Sequence, residues 1–107
     1  MLQLEGMIDD IVRVKFSRSG GFTGLVESCD FMLETLAPFD RKQLLDAFRK
    51  ISGVHIPAVN TYASDLETYD VDIFTAESMQ SIRFQAGSVP SEALGLLRIL
   101  KSHARLV

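Results

Sequence analysis

The first regular pattern in the chain is an alternation of apolar and polar residues from Ile11 to Phe16. Val12, Val14 and Phe16 fall on one face of this run, and the residues between them are charged. A period of two residues is typical of a strand with one buried face. We therefore predict a strand over Ile11 to Phe16 that turns one face to a core and the other to solvent.

A second strand is predicted from Phe22 to Cys29, directly after the turn Ser19-Gly20-Gly21. Glycine adopts the positive φ angles of tight hairpins without the steric cost that a Cβ atom brings. The two predicted strands should therefore pair as an antiparallel hairpin.

Two later segments carry apolar residues at helical spacing. In the first, Pro38 marks the start, Asp40 is the predicted N-cap and Gly53 is the predicted stop. Its predicted buried stripe consists of Leu44, Ala47, Phe48 and Ile51. The second helix is predicted after Pro90, with a stripe of Ala93, Leu94, Leu97, Leu100 and Ala104.

Between these helices lies a second alternating region. Tyr69, Val71 and Ile73 alternate with polar residues, and Ile82 and Phe84 do so after a short turn. This pattern predicts a second hairpin. The resulting order of strand, strand, helix, strand, strand, helix predicts an α+β two-layer sandwich. Its four-stranded, mainly antiparallel sheet would carry both helices on one face and leave the other face polar and open.

Size and charge narrow the class of protein. With 107 residues, 47% of them hydrophobic, the chain predicts a single domain over 1–107, and 1–10 is a candidate flexible N-terminal segment. The net charge of -3 and dispersed basic residues predict no nucleic-acid partner. A lone Cys29 and the lack of a basic leader or a membrane-length apolar run predict a cytoplasmic protein without membrane association.

Candidate catalytic chemistry is sparse. His55 and His103 lack the spacing of metal ligands, so neither a metal site nor a cofactor is predicted. Cys29 ends an apolar run and is interpreted as a small buried residue rather than a nucleophile. Asp70 and Asp72 share one face of a strand, where acids are usually solvated. The sequence therefore favours a protein that is not an enzyme.

The glycine-rich run from Ser19 to Leu25 is the remaining feature. A hairpin turn accounts for Gly20 and Gly21, whereas Gly24 falls inside the next predicted strand. Glycine there weakens pairing and often marks the close approach of another backbone. The run lacks the lysine and the following helix of a phosphate-binding loop. Turn chemistry and a contact surface both remain as explanations.

The run Arg18-Ser19-Gly20-Gly21-Phe22-Thr23-Gly24-Leu25 resembles the emfourin family of small protein inhibitors of thermolysin-like metallopeptidases. The likeness continues through Asp65 and the following tyrosine strand to the helix after Pro90, and so spans about residues 11–104. It implies a protein that lodges in the active-site cleft of a zinc metallopeptidase and needs no cofactor of its own. The partner-binding residues it implies are Arg18, Ser19, Gly20, Gly21, Phe22, Thr23, Gly24 and Leu25.

Within this resemblance Phe22 and Leu25 are the apolar anchors and Arg18 is a polar contact at the rim, and we expect a monomer when free. Two other classes stay open. A non-enzymatic interaction or regulatory module would use the open sheet face or an exposed strand edge. A small-molecule-binding domain would need a pocket between sheet and helices, for which a chain of 107 residues leaves little volume.

Overall fold

A computed structural model describes residues 3–21, 26–59 and 66–106 of the chain. Its strands are β1 (Arg13–Gly20), β2 (Glu27–Met32), β3 (Glu67–Phe74), β4 (Met79–Gln85) and the short β5 (Arg105–Leu106). Its α-helices are α1 (Pro38–Ile51) and α2 (Leu94–His103). The strands lie side by side in the order β4-β3-β1-β2-β5, and every neighbouring pair is antiparallel.

The predicted α+β architecture is confirmed, with an antiparallel sheet, two helices and one open sheet face. The addition is β5, whose two residues pair with Glu27 and Ser28 at the edge of β2. A strand of two residues is too short to show a periodic pattern, so β5 could not be predicted.

The core lies between the helices and the inner face of the sheet. Val14 and Phe16 of β1 and Val71 and Ile73 of β3 are no more than 1% exposed. The helices contribute buried residues to the same core: Leu44, Phe48 and Ile51 from α1, and Leu96, Leu97 and Leu100 from α2. The predicted alternation in these strands is confirmed, because these four strand residues are the ones predicted to face the core. A shift of one residue would instead turn every apolar side chain to solvent.

Both strands of the first hairpin lie further along the chain than predicted. β1 starts at Arg13 and continues to Gly20, where pairing with β3 still supports it. Val12 precedes β1 at the end of the sheet and is 40% exposed, so its predicted place on the buried face is wrong. β2 runs from Glu27 to Met32 rather than ending at Cys29.

Helix α1 begins before its predicted cap. Pro38 is its first residue and Ala37 is the N-cap, so the prediction of Asp40 as N-cap is wrong. Proline suits this position because its missing N–H would have no partner within the helix. Asp40 instead places a carboxylate in the first turn, where the helix dipole favours negative charge. The predicted stop is confirmed, since Gly53 follows the helix with a φ of +85°.

The predicted stripe of α2 is confirmed at Ala93, Leu97 and Leu100, which are buried. Leu94, another member of the predicted stripe, is 53% exposed, so its predicted burial is wrong, and Leu96, which the stripe omitted, is fully buried. A 3-10 turn over Ser91–Ala93 precedes α2, and Leu94 is the first residue of the helix. Ala104 lies beyond the helix in an extended conformation.

The described part of the N-terminal segment packs on this core. Leu4 is fully buried and Ile8, in the 3-10 turn Ile8–Asp10, is 7% exposed. The Leu4 N–H donates to Ser52 Oγ at 3.3 Å, and Asp9 accepts an ion pair from Arg49 at 2.6 Å. From Gln3 onward, this segment is therefore an integral part of the domain.

Phe48 and Phe39 provide a matched test of the core, because both lie on α1 and only Phe48 is buried, with exposures of 0% and 69%. Phe48→Ala should lower the free energy of unfolding by about 3–5 kcal/mol, through lost burial and the cavity left behind. Phe39→Ala should change it by less than about 0.5 kcal/mol. Urea unfolding followed by circular dichroism measures both, and equal effects would contradict this core.

Candidate functional site

The candidate site lies where β1 reaches the end of the sheet. Gly20 is the last residue of β1 and pairs with Glu67 of β3, and Ser19 pairs with Thr68. The predicted partner-binding residues in the described part of the chain are Arg18, Ser19, Gly20 and Gly21. The others lie outside the described residues, namely Phe22, Thr23, Gly24 and Leu25.

Gly20 and Gly21 carry the end of β1 over the start of β3. Their φ angles are +89° and +75°, in the region that other residues rarely adopt. A Cβ atom on Gly20 would lie 2.9 Å from the carbonyl oxygen of Leu66, and one on Gly21 would lie 3.3 Å from Cγ of Glu67. The backbones approach so closely that the fold itself requires glycine at Gly20.

Arg18 holds the same end of the sheet together on its inner, helix-facing side. Its Nε donates to Oε2 of Glu67 at 3.0 Å and its Nη2 donates to Oε1 at 2.8 Å. Its Nη1 lies 3.5 Å from Oε2 of Glu27, and the Tyr69 hydroxyl donates to Oε2 of Glu67 at 2.8 Å. We call Arg18, Glu27, Glu67 and Tyr69 the Arg18 cluster, which joins β1 to β2 and β3.

Within the Arg18 cluster, the pKa values of Glu67 and Tyr69 are shifted in opposite directions. The hydrogen bond from Arg18 lowers the pKa of Glu67 below its ordinary value of 4.5, and the bond from Tyr69 adds to this. Burial, followed by the hydrogen bond to Glu67, raises the pKa of Tyr69 above 10.0. At neutral pH the cluster is thus a carboxylate held by a guanidinium and a phenol, which suits positioning rather than proton transfer.

This placement differs from the predicted role of Arg18 at the rim of a partner interface, because its guanidinium is engaged within the protein. The inward placement of Arg18 could be predicted from its position in the sequence. Arg18 continues the alternation of Val14 and Phe16, so it shares their inward face. Glu67 is 49 residues away in the sequence, and no local pattern connects it to Arg18.

The outer face of the sheet is a separate, open and polar surface. A groove of about 780 Å³ crosses it. Its polar side chains pair across neighbouring strands, as Arg13 with Asp30, Arg83 with Asp70, and Ser81 with Asp72. Asp70 and Asp72, which the sequence placed on one strand face, are therefore both hydrogen-bonded there, at 2.6 Å and 2.7 Å.

Lys15 occupies the middle of this outer face. It lies in register with Asp30 on one side and Asp72 on the other. Both of these acids are engaged by other side chains, and Lys15 itself forms no ion pair with any residue in the described ranges. Lys15 is therefore the charge on this surface that a partner could take up without breaking an existing pair.

Cys29 lies on the inner face, half-buried, with its Sγ 3.8 Å from the Leu100 carbonyl oxygen. Burial raises the pKa of its thiol to about 11, which leaves it protonated and a weak nucleophile at neutral pH. Of the histidines, His103 packs against Phe31 with ring centroids 5.2 Å apart, and His55 is exposed after α1.

Among the described residues, no three histidine, cysteine or acidic side chains are grouped so as to hold a metal ion. None of the helices in the same ranges is long and apolar enough to cross a membrane. No protein-family model, characterised protein or solved structure matches this chain.

A comparison of Gly20 with Gly53 separates two costs of adding a side chain, namely backbone strain at positive φ and steric overlap with a neighbouring backbone. Both have positive φ, but a Cβ atom on Gly53 would meet nothing within 4 Å. Gly53→Ala should therefore cost about 1–2 kcal/mol of unfolding free energy, from backbone conformation alone. Gly20→Ala should cost about 1–3 kcal/mol more, because the added atom meets the Leu66 carbonyl. Chemical denaturation of both variants measures the difference, and equal costs would contradict the close approach.

The Arg18 cluster also predicts a pH dependence. Because the pKa of Glu67 is lower in the folded chain, the unfolded chain takes up the proton first as pH falls. The stability that this carboxylate contributes is present above pH 4.5 and is lost as pH falls through the folded pKa. Glu67→Gln should therefore lower the melting temperature at pH 7 and flatten its decline between about pH 5 and pH 3.

Thermal unfolding across this pH range measures the effect, with Glu34→Gln as the control. Glu34 is exposed and forms no ion pair with the rest of the described chain. Some decline should remain in Glu67→Gln, because the hydrogen bond from Arg13 lowers the pKa of Asp30 as well. An acid decline as steep as that of the unmodified protein would contradict the role of Glu67.

Proposed function

We propose that this protein is an inhibitor of a thermolysin-like zinc metallopeptidase, and that it inserts the hairpin containing Arg18 to Leu25 into the active-site cleft of the enzyme. The observation that carries the proposal is the bracing of the hairpin base. Gly20 pairs with Glu67 and passes over Leu66, while Arg18 makes two hydrogen bonds to the same glutamate.

Bracing matters because an inhibitor that enters a narrow cleft loses conformational freedom on binding. Order that already exists in the free protein lowers this entropy cost. The hairpin starts from β1, which is flanked by β2 and β3 and cannot bend away from the sheet without breaking two ladders. The base of the proposed inhibitory segment is thus held on both sides before any partner arrives.

The residues of the proposed segment divide into two roles. Arg18, Gly20 and Gly21 act as positioning residues, because their contacts lie within the protein. Phe22 and Leu25 are the proposed apolar anchors, by the resemblance of the glycine-rich run, since thermolysin-like enzymes favour bulky apolar side chains next to the scissile bond. Aromatic anchors in enclosed pockets often dominate binding energy.

In this proposal the catalytic zinc belongs to the enzyme, and the inhibitor brings no cofactor or catalytic group. The inhibitor acts as a monomer in the cytoplasm and occupies the cleft so that substrate cannot enter. The chemistry of the hairpin base is in keeping with this, because the Glu67 carboxylate of the Arg18 cluster is already hydrogen-bonded by Arg18 and Tyr69 within the protein.

The outer face supports a second candidate function, that of a non-enzymatic interaction or regulatory module. The specific observation in its favour is the groove of about 780 Å³ with Lys15 at its centre. Against it, the acids of this face are already hydrogen-bonded to neighbouring strands, so a partner gains little from them. The hairpin proposal is therefore preferred.

The test is a titration of the purified protein into several thermolysin-like proteases, with a fluorogenic peptide as substrate. Phe22→Ala should raise the inhibition constant by about 10- to 100-fold, as expected for an aromatic anchor. Phe39→Ala is the matched control, because it also removes a phenylalanine ring, and Phe39 lies on α1 with 69% of its surface exposed. Glycine variants are unsuitable, since Gly20 is needed by the fold.

Three outcomes would count against the proposal. They are a lack of inhibition at micromolar excess over every protease tried, an equal loss in Phe22→Ala and Phe39→Ala, and unchanged inhibition by Phe22→Ala. If Lys15→Glu weakens inhibition while Phe22→Ala does not, the outer face is the contact surface and the second candidate replaces the first.

A further inference from the structure

A groove of about 630 Å³ lies on the helix side of the molecule, between α2 and the first residues of β3. One wall is formed by α2, with Leu94, Leu97, Arg98 and Lys101. The other wall is formed by β3 and the segment after β4, with Tyr69, Ala86, Gly87 and Val89. This surface, which we call the α2 groove, shares Tyr69 with the Arg18 cluster, and none of the described residues of the glycine-rich run lines it.

The wall formed by α2 is a single stripe of the helix. Leu94, Leu97, Arg98 and Lys101 follow the spacing of neighbours on one helical face. Leu97 is 3% exposed and belongs to the core, whereas Leu94, one turn earlier, leaves 53% of its surface exposed in the groove. Leu94 thus presents a large, exposed apolar side chain in the same groove as two cations.

The α2 groove is lined by two cations, Arg98 and Lys101. None of the described residues that line it is acidic. Arg98 makes no ion pair with the part of the chain that the structure describes. Lys101 rests its Nζ 4.6 Å from the centre of the Tyr69 ring and interacts through its charge with Glu67, which lies outside the lining. In a protein with a net charge of -3, this is a local positive surface with an apolar floor.

We propose that the α2 groove binds an acidic peptide segment of a partner protein. A bulky apolar side chain of the peptide covers Leu94, and carboxylates beside it pair with Arg98 and Lys101. The groove is open to solvent rather than enclosed, so it lines one side of an extended peptide but does not surround the tail of a small lipid acid. This proposal is independent of protease inhibition, because it uses none of the hairpin residues.

The experiment measures fluorescence anisotropy of labelled peptides with a leucine-phenylalanine pair and glutamates before, after or on both sides of it. At least one should bind with a dissociation constant below about 1 mM, and its lysine counterpart should not bind. Arg98→Glu should weaken binding by about tenfold or more, since it places like charges together. Lys50→Glu, an equal charge change on the exposed side of α1, should leave binding unchanged.

Leu94→Asp tests the apolar half of the site and should also weaken binding about tenfold. Circular dichroism melts of each variant confirm that Arg98→Glu and Leu94→Asp remain folded. Amide chemical-shift mapping should place the bound peptide at Ala86, Gly87 and Arg98. The proposal is overturned if no peptide binds, if Lys50→Glu weakens binding as much as Arg98→Glu, if the shifts fall on the outer face, or if decanoate binds while every peptide fails.

Discussion

The pairing of β1 with β3 is the constraint on which the rest of this molecule depends. It joins segments far apart in the sequence, from Arg13 with Phe74 to Gly20 with Glu67. The same register sets Val14 beside Ile73 in the core and Arg18 beside Tyr69 at the end of the sheet. Shifting it by one residue would expose the core and separate the Arg18 cluster in a single step. The stability of the fold and the geometry of the candidate site therefore both depend on the pairing of β1 with β3.

Much of the fold could be predicted from the sequence, because buried residues recur at the period of a strand or a helix. Val14, Phe16 and the residues opposite them on β3 alternate, and the stripe of α1 repeats at helical spacing, so both are visible in the sequence. In α2 the burial of Leu97 and Leu100 was predicted, but Leu94 was wrongly placed in the core, because a 3-10 turn precedes the helix where a regular helix was expected. Such a turn has no distinctive composition.

The candidate site was less accessible to prediction, for a different reason. Glycine content revealed that the end of β1 is unusual, but not that Gly20 serves a close approach to Leu66. The partner of Arg18 is distant in the sequence, and long-range ion pairs follow from topology rather than from local pattern. A residue that the sequence marks as a candidate contact, as it does Arg18, can therefore be engaged by hydrogen bonds within the protein.

The Glu67 carboxylate has a consequence for how the chain can vary. It accepts hydrogen bonds from Arg18 and Tyr69 at once. Replacing Glu67 alone leaves the half-buried guanidinium of Arg18 and the buried hydroxyl of Tyr69 without their acceptor. Replacing Arg18 as well removes the cost of the unpaired guanidinium. The two positions are thus epistatic. Descendants of this sequence are expected to exchange Arg18 and Glu67 together, and a recombinant that inherits only one of them carries a cost that neither parent shows.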